Sequence, residues 1–476
     1  MIHRALSLIV VLSAVSASFA QPKLIPKLGI EVPPEKRAKL ESQLKQLGDA
    51  LGRLDGKRDA KAVATLSDAR LKELLTDVFV FQRAVSDALT FNEFFAPKEI
   101  DAAESLLREG LDRAQQLAEG RADWTTSTGA VLRGYPSRID GSVQPYVVIV
   151  PESYTPKASG HYRLDIWFHG RGETLSEVNF LNGLRTKPGQ FTPPDTLVLH
   201  PYGRYCNAFK FAGETDVFEA LEAVRANYRV DDDRTSVRGF SMGGAATWHF
   251  AVHHSDRWFA ANPGAGFVDT AVYQKIFESG EPEPPWYEQR LWRWYDCPPY
   301  ARNLYHCPTI AYSGEIDKQK AAADMMAEVL ADYDISMAHI IGPKTEHKYH
   351  PDAAAEVSRR MASLAKFGRD QLPLSLQFDT QTLKYNRMYW VTIDGMGQHW
   401  ETASVDAEVL DDGPAIETSN VTDLTLRFEP GESPFDITFP VIVSIDEQEF
   451  EVDHPLSDRS WTCQLHRVGQ QWHVGA

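Results

Sequence analysis

Arg238-Gly239-Phe240-Ser241-Met242-Gly243-Gly244 is the stretch on which the reading of this chain turns. It follows a strand-like run and opens an apolar, helix-like run. A serine between a strand and a helix, framed by Gly239 and Gly243, sits on a sharp bend. The two glycines leave room for the bend, because a Cβ at either place would crowd the backbone. The bend lifts the Ser241 hydroxyl above the carboxyl edge of a sheet. The helix behind it aims backbone N–H groups at the same spot. Ser241 is therefore the expected nucleophile, and a plain Gly-rich turn is the competing reading.

A serine hydroxyl is a weak nucleophile at its free pKa and needs a base. Ser313-Gly314-Glu315-Ile316-Asp317 follows a later strand-like run, and Ile341-Gly342-Pro343-Lys344-Thr345-Glu346-His347 follows the next. The chain order is thus Ser, Asp, His, with one helix and one strand between the last two. Asp317 is expected to fix the tautomer of His347, and His347 to take the Ser241 proton and return it to the leaving group. Glu315 and His350 are the rivals for these two places. Phe168-His169-Gly170-Arg171-Gly172-Glu173 ends another strand, and its glycines let backbone N–H groups turn outward. The N–H groups of Arg171 and Met242 are the expected oxyanion donors. Arg204 and Lys210 follow a further strand and are candidates for gripping an anionic substrate group; salt bridges to Glu214 or Asp216 compete for them. No cofactor or metal is expected. The chain has no CxxC, and His253-His254 reads as a helix cap.

Working outward, residues 124–371 alternate strands and helices. A hairpin around Asp140-Gly141 comes first, then strands at 163–169, 196–201, 235–239, 259–263, 309–313 and 338–342. This predicts an α/β domain with a mostly parallel sheet and helices on both faces. Asp231-Asp232-Asp233 reads as a solvated turn. Before it, residues 33–120 read as a helical region, with Leu40, Leu44, Leu47, Leu51 and Leu54 on one helix face and further helices over 68–89 and 97–119. After it, residues 375–476 change to short β-rich runs separated by Asp-Gly and Pro-Gly turns, which predicts a small antiparallel β-sandwich-like domain. Trp390, Trp400, Trp461 and Trp472 in that part are read chiefly as core, with polysaccharide binding as the other possibility.

The chain has 476 residues, a formal charge of −17 and 43% hydrophobic residues. That length predicts two or three domains, and the apolar share supports packed cores. The acidic balance argues against nucleic acid as a partner. Residues 1–20 carry Arg4, an uncharged apolar stretch and Ser18-Phe19-Ala20, the pattern of an export signal. The expected location is periplasmic or extracellular, with no membrane span after signal removal. Export permits disulfides, and Cys297–Cys307 is the natural pair to expect, two free thiols being the alternative.

On these residues the middle region resembles the α/β-hydrolase superfamily, and most closely the catalytic domains of the prolyl oligopeptidase family and related exported bacterial esterases. The resemblance rests on Gly239 to Gly244, on Gly314 to Asp317 and on His347. It implies a serine hydrolase working through an acyl-enzyme, on carboxylic esters first and on peptides as the alternative. The substrate would be a small molecule, a polysaccharide ester or a peptide. A non-catalytic binding protein on the same scaffold is the remaining reading. One departure stands out: the flanking regions are helical or too short for the β-propeller by which prolyl oligopeptidases admit only short peptides.

Overall fold

Three helices, α1 (Pro34–Gly56), α2 (Asp68–Thr90) and α3 (Pro97–Ala118), lead into the central sheet of the computed structural model, which describes residues 26–56, 67–157, 159–278, 280 and 282–475. The expected export signal lies outside the described residues. Pro34 and Pro97 each open a helix, where a missing N–H costs nothing. Ser67 caps α2 by accepting from the Arg70 N–H. The leucine stripe is buried as its spacing requires, but not in a separate bundle: Leu40, Leu47, Leu74, Phe81 and Leu107 share one continuous core with the sheet.

Asp77 on α2 is the joint between the two. Its side chain is fully buried and accepts from Arg133, from the Trp124 indole and from the Gly134 N–H. A buried carboxylate is tolerated only with such partners.

The sheet has eight strands: β1 (Gly129–Pro136), β2 (Val143–Val150), β3 (Tyr162–Phe168), β4 (Thr196–Pro201), β5 (Val230–Phe240), β6 (Ala260–Gly264), β7 (Ile310–Gly314) and β8 (Ala338–Gly342). Their spatial order is β1-β2-β4-β3-β5-β6-β7-β8. β1 and β2 form the expected hairpin, β2 meets β4 antiparallel, and the remaining pairs are parallel. This is the α/β-hydrolase architecture that the motifs imply. The crossovers carry α4 (Glu177–Thr186), α5 (Ala212–Asn227), α6 (Met242–His253), α7 (Thr270–Gln274), α8 (Trp286–Trp292), α9 (Lys320–Ala331) and α10 (Pro351–Leu364). Every residue of α6 is buried, which is why its sequence shows no polar face. Asp231 to Asp233 lie within β5 and not in a turn, because β5 runs nine residues upstream of Gly239.

Beyond the sheet, ten further strands among the described residues form two five-stranded sheets around a second core containing Trp390, Trp461 and Trp472. The sandwich is not wholly antiparallel: Pro414–Ser419 pairs parallel with Val441–Ile445. These three tryptophans are buried, as the core reading requires, but Trp400 is half-buried outside that core, its ring 5.9 Å from that of Trp294.

All four cysteines are free. The expected Cys297–Cys307 bond does not form, because a 3₁₀ helix, Pro298–His306, separates the two. At roughly 2 Å per residue that helix holds its ends well beyond the ~7 Å a disulfide spans.

Candidate active site

Steric exclusion shapes the bend at Ser241. A Cβ on Gly239 would lie 2.3 Å from the Gly243 carbonyl oxygen, and one on Gly243 only 2.0 Å from that of Phe168. A Cβ on Gly244 would likewise lie 2.1 Å from the Gly264 oxygen. The end of β5 can therefore drive α6 hard against β3 and β6. Ser241 takes up the strain, with φ 61° and ψ −122°, a conformation that L residues rarely adopt. Its N–H donates to the Gly264 oxygen at 2.9 Å, which locks the bend to β6.

Charged groups brace the strands beneath the bend. Asp165 on β3 accepts from Arg163, from Ser236 and from Arg238 of β5. Burial works against its charge, yet Arg163 and Arg238 outweigh it and hold the carboxyl below the usual range. Arg238 also lies over the Phe191 ring, 4.2 Å from its centre.

Asp317 and His347 come from the loops after β7 and β8. His347 Nδ1 lies 2.8 Å from Asp317 Oδ2. The other Asp317 oxygen accepts from the Gln319 N–H at 2.9 Å. The carboxylate is thus fixed at both oxygens and only 3% exposed, whereas the imidazole is 40% exposed. With a proton on Nδ1 facing Asp317, the Nε2 lone pair points outward as a base. The ring packs 4.8 Å from that of Phe240, the residue just before Ser241. Among the described residues no hydrogen bond joins the Ser241 hydroxyl to His347; catalytic contacts of this kind often tighten only when substrate binds. The two rivals are otherwise engaged. Glu315 accepts from the Lys344 N–H, and His350 precedes α10, its N–H donating to the Tyr312 hydroxyl.

The loop after β3 lies beside the nucleophile: a Cβ on Gly170 would sit 3.8 Å from the Ser241 Cβ. The Arg171 N–H makes no hydrogen bond among the described residues, and Met242 is the first residue of α6, where an N–H has no partner inside the helix. Both expected donors are thus free to point at a developing oxyanion.

Sequence reasoning missed what holds this loop. The Cys206 thiol accepts from the Gly172 N–H and donates to the Gly172 oxygen, both at 3.3 Å. Burial raises the thiol pKa, so it keeps the proton it donates. The Tyr205 hydroxyl donates to the Glu173 oxygen at 2.6 Å. Their own segment is strained, with positive φ at Arg204, Tyr205, Ala208, Phe209 and Phe211. A cysteine with no CxxC partner carries no sequence signal for such a role.

Arg204 does not reach for substrate. Its guanidinium donates to Asp216 at 2.8 Å, to Asp140 at 2.8 Å and to the Ser137 hydroxyl, and these partners consume it. Lys210 is different. Its ammonium sits 4.1 Å from the centre of the Tyr295 ring and 5.6 Å from that of Phe267, with no ion pair among the described residues. Burial lowers its pKa. Phe267 and Tyr295 belong to the insertion between β6 and β7, whose Phe277, Trp286 and Tyr287 are exposed. Among the described residues no cluster of histidine, cysteine or carboxylate groups could hold a metal ion, and no helix is long and apolar enough to cross a membrane.

Residues 210–372 match the model of the prolyl oligopeptidase family, and the match contains Ser241, Asp317 and His347. Among curated proteins no relative matches in sequence. Solved structures similar to this chain include a protein assigned as a dipeptidyl aminopeptidase IV from Bacteroides ovatus, with 11% identity, TM-score 0.38, and coverage of 51% of this chain and 36% of that one. An S-formylglutathione hydrolase from Agrobacterium tumefaciens is 16% identical, with TM-score 0.37 over 51% of this chain and 96% of its own. A puromycin-hydrolyzing peptidase from Mycobacterium tuberculosis is 18% identical, with TM-score 0.36 over 49% of this chain and 38% of its own. This chain thus spans about a third of the length of the first of these. The sheet order gives the chain α/β-hydrolase architecture, and the family match falls on the part of it that carries Ser241, Asp317 and His347.

Proposed function

We propose that this is an exported serine hydrolase that cleaves carboxylic esters through an acyl-enzyme. Ser241 attacks the ester carbonyl while His347 Nε2 takes its proton. The N–H groups of Met242 and Arg171 receive the oxyanion, and Asp317 steadies the imidazolium. His347 then protonates the departing alcohol, and a water repeats the sequence to release the acid. The observation that carries this reading is a strained serine at a helix N-terminus, preceded by Phe240, whose ring packs on an imidazole hydrogen-bonded to a buried carboxylate. Export rests on the pattern of residues 1–20.

Lys210 is the proposed contact for an anionic part of the substrate: its ammonium lies on the Tyr295 ring and makes no direct ion pair among the described residues, Asp296 acting on it only at longer range. The exposed aromatics between β6 and β7 suit an apolar or aryl group of the substrate.

The family match favours peptide-bond cleavage as the second reading. Against it stands the architecture around the sheet, which is helical before and a sandwich after. Ser241→Ala should lower p-nitrophenyl acetate hydrolysis by roughly 10⁴ or more. Unchanged hydrolysis would overturn the proposal. A panel of aryl esters and proline-containing peptides separates the two readings.

A further inference from the structure

A second cleft lies at the other end of α6. That helix starts at the nucleophile, and eleven residues at 1.5 Å each place its last residue, His253, about 17 Å away. The cleft has a volume of about 600 Å³ and lies between the hydrolase sheet's helices and the β-sandwich. Five arginines line it: Arg225, Arg257, Arg369, Arg387 and Arg427. Such a concentration is unexpected in a chain of net charge −17.

Three of the five have acidic partners. Arg225 pairs with Asp232 at 2.6 Å, Arg369 with Asp233 at 3.1 Å and Arg427 with Glu429 at 2.9 Å. The other two have no ion pair among the described residues. Arg257 lies against the Phe218 ring, 4.8 Å from its centre, and Arg387 gives only one bond, to the Tyr389 oxygen. They come from different parts of the chain, Arg257 from the 3₁₀ turn after α6 and Arg387 from a short strand of the sandwich, Arg387–Met388. Partial burial, then the like charges of Arg225, Arg387 and Arg369 against Asp256, lower the Arg257 pKa. Like charges gathered at an opening favour any anion that enters between them.

A second observation points the same way. His253 also lines the cleft and is 4% exposed, yet neither of its ring nitrogens has a hydrogen-bond partner among the described residues. Its ring is held against Tyr385, 3.9 Å between centres, and Tyr300, 4.2 Å. Buried polar groups without partners are uncommon in folded proteins and mark places where a ligand can supply them.

The anion cannot be a long polyanion. Asp232, Asp256, Glu429 and Glu432 line the same opening and would repel closely spaced charges. The same carboxylates accept hydrogen bonds from hydroxyl groups. Guanidinium groups recognise planar oxyanions by paired N–H donors. We propose that this cleft binds an acidic sugar of one or two residues, with its carboxylate held between Arg257 and Arg387 and its hydroxyls on the surrounding acids. The site is separate from the hydrolytic centre.

Isothermal titration of the full chain with D-glucuronate, D-glucose and sodium sulfate tests this. Glucuronate should bind once per chain, glucose should give no heat, and 0.5 M salt should weaken the binding, as expected for an exposed charged contact. Ser241→Ala should bind glucuronate unchanged. The double variant R257Q/R387Q should bind at least tenfold more weakly while its thermal midpoint and p-nitrophenyl acetate hydrolysis stay at the wild-type values. No glucuronate binding by the wild type, or equal binding by the double variant, overturns the site. Sulfate binding as tight as glucuronate overturns the sugar.

Discussion

Replacing Asp317 by Asn tests the orientation of the base without changing shape. The Asp317 side chain is 3% exposed, with one oxygen on His347 Nδ1 and the other on the Gln319 N–H. An asparagine oxygen can keep the bond to Gln319. Its NH₂ group must then face His347, and a donor there requires Nδ1 to be an acceptor. The ring proton moves to Nε2, the atom that should receive the Ser241 proton. The loss expected from a wrong tautomer is about 10³- to 10⁴-fold in kcat, or roughly 4–5.5 kcal/mol of transition-state stabilisation. The assay is kcat and KM for p-nitrophenyl acetate at pH 8, beside Glu315→Gln, which removes a loop charge, keeps an oxygen for the Lys344 N–H and should stay within about threefold of wild type. An Asp317→Asn enzyme within tenfold of wild type, or a Glu315→Gln enzyme that falls further, would refute the reasoning.

Asp77→Ala leaves Arg133, itself 1% exposed, as an unpaired buried charge and should cost about 3–5 kcal/mol, read as a lower midpoint in urea. Cys206→Ala removes both bonds that pin Gly172 and should reduce kcat by about three- to tenfold, with little change in the unfolding midpoint. His306 is held at a pKa of about 4 by burial, its Nε2 accepting from the Gln377 N–H of the sandwich. A folded pKa below the unfolded value means that the unfolded chain takes up the proton first. Wild-type stability should therefore fall as pH drops from about 6.5 to 4. His306→Gln keeps an uncharged acceptor, so its thermal midpoint should fall less over that window; identical slopes would remove the assignment.

Much of the hydrolase site was legible because its chemistry is written in short local patterns. Gly239 and Gly243 mark the bend by the Cβ they lack, and the strand-to-loop positions of Asp317 and His347 follow from hydrophobic periodicity. Arg204 was not legible as a structural residue, because sequence does not say which carboxylates the fold brings near; Asp140 sits in the β1–β2 turn, whereas Arg204 follows β4. The short helices α4, α7 and α8 carry little sequence signal, since five to ten residues give too few turns for a stripe. Strand Pro414–Ser419 begins with proline and alternates weakly, so its sequence does not mark it. The length of β5 was misread because Asp231 to Asp233 look like a turn and are carried into strand by pairing of Val230 with Tyr162. The union of the leading helices with the sheet core was hidden for a related reason: a leucine stripe states that a face is covered, not by what.

The most direct test is mass spectrometry of the intact protein after exposure to a fluorophosphonate, followed by peptide mapping. The account predicts a single adduct on the Ser241 hydroxyl, fast in the wild type and slowed by several orders of magnitude in His347→Ala. No adduct, or one located on another side chain, would contradict it.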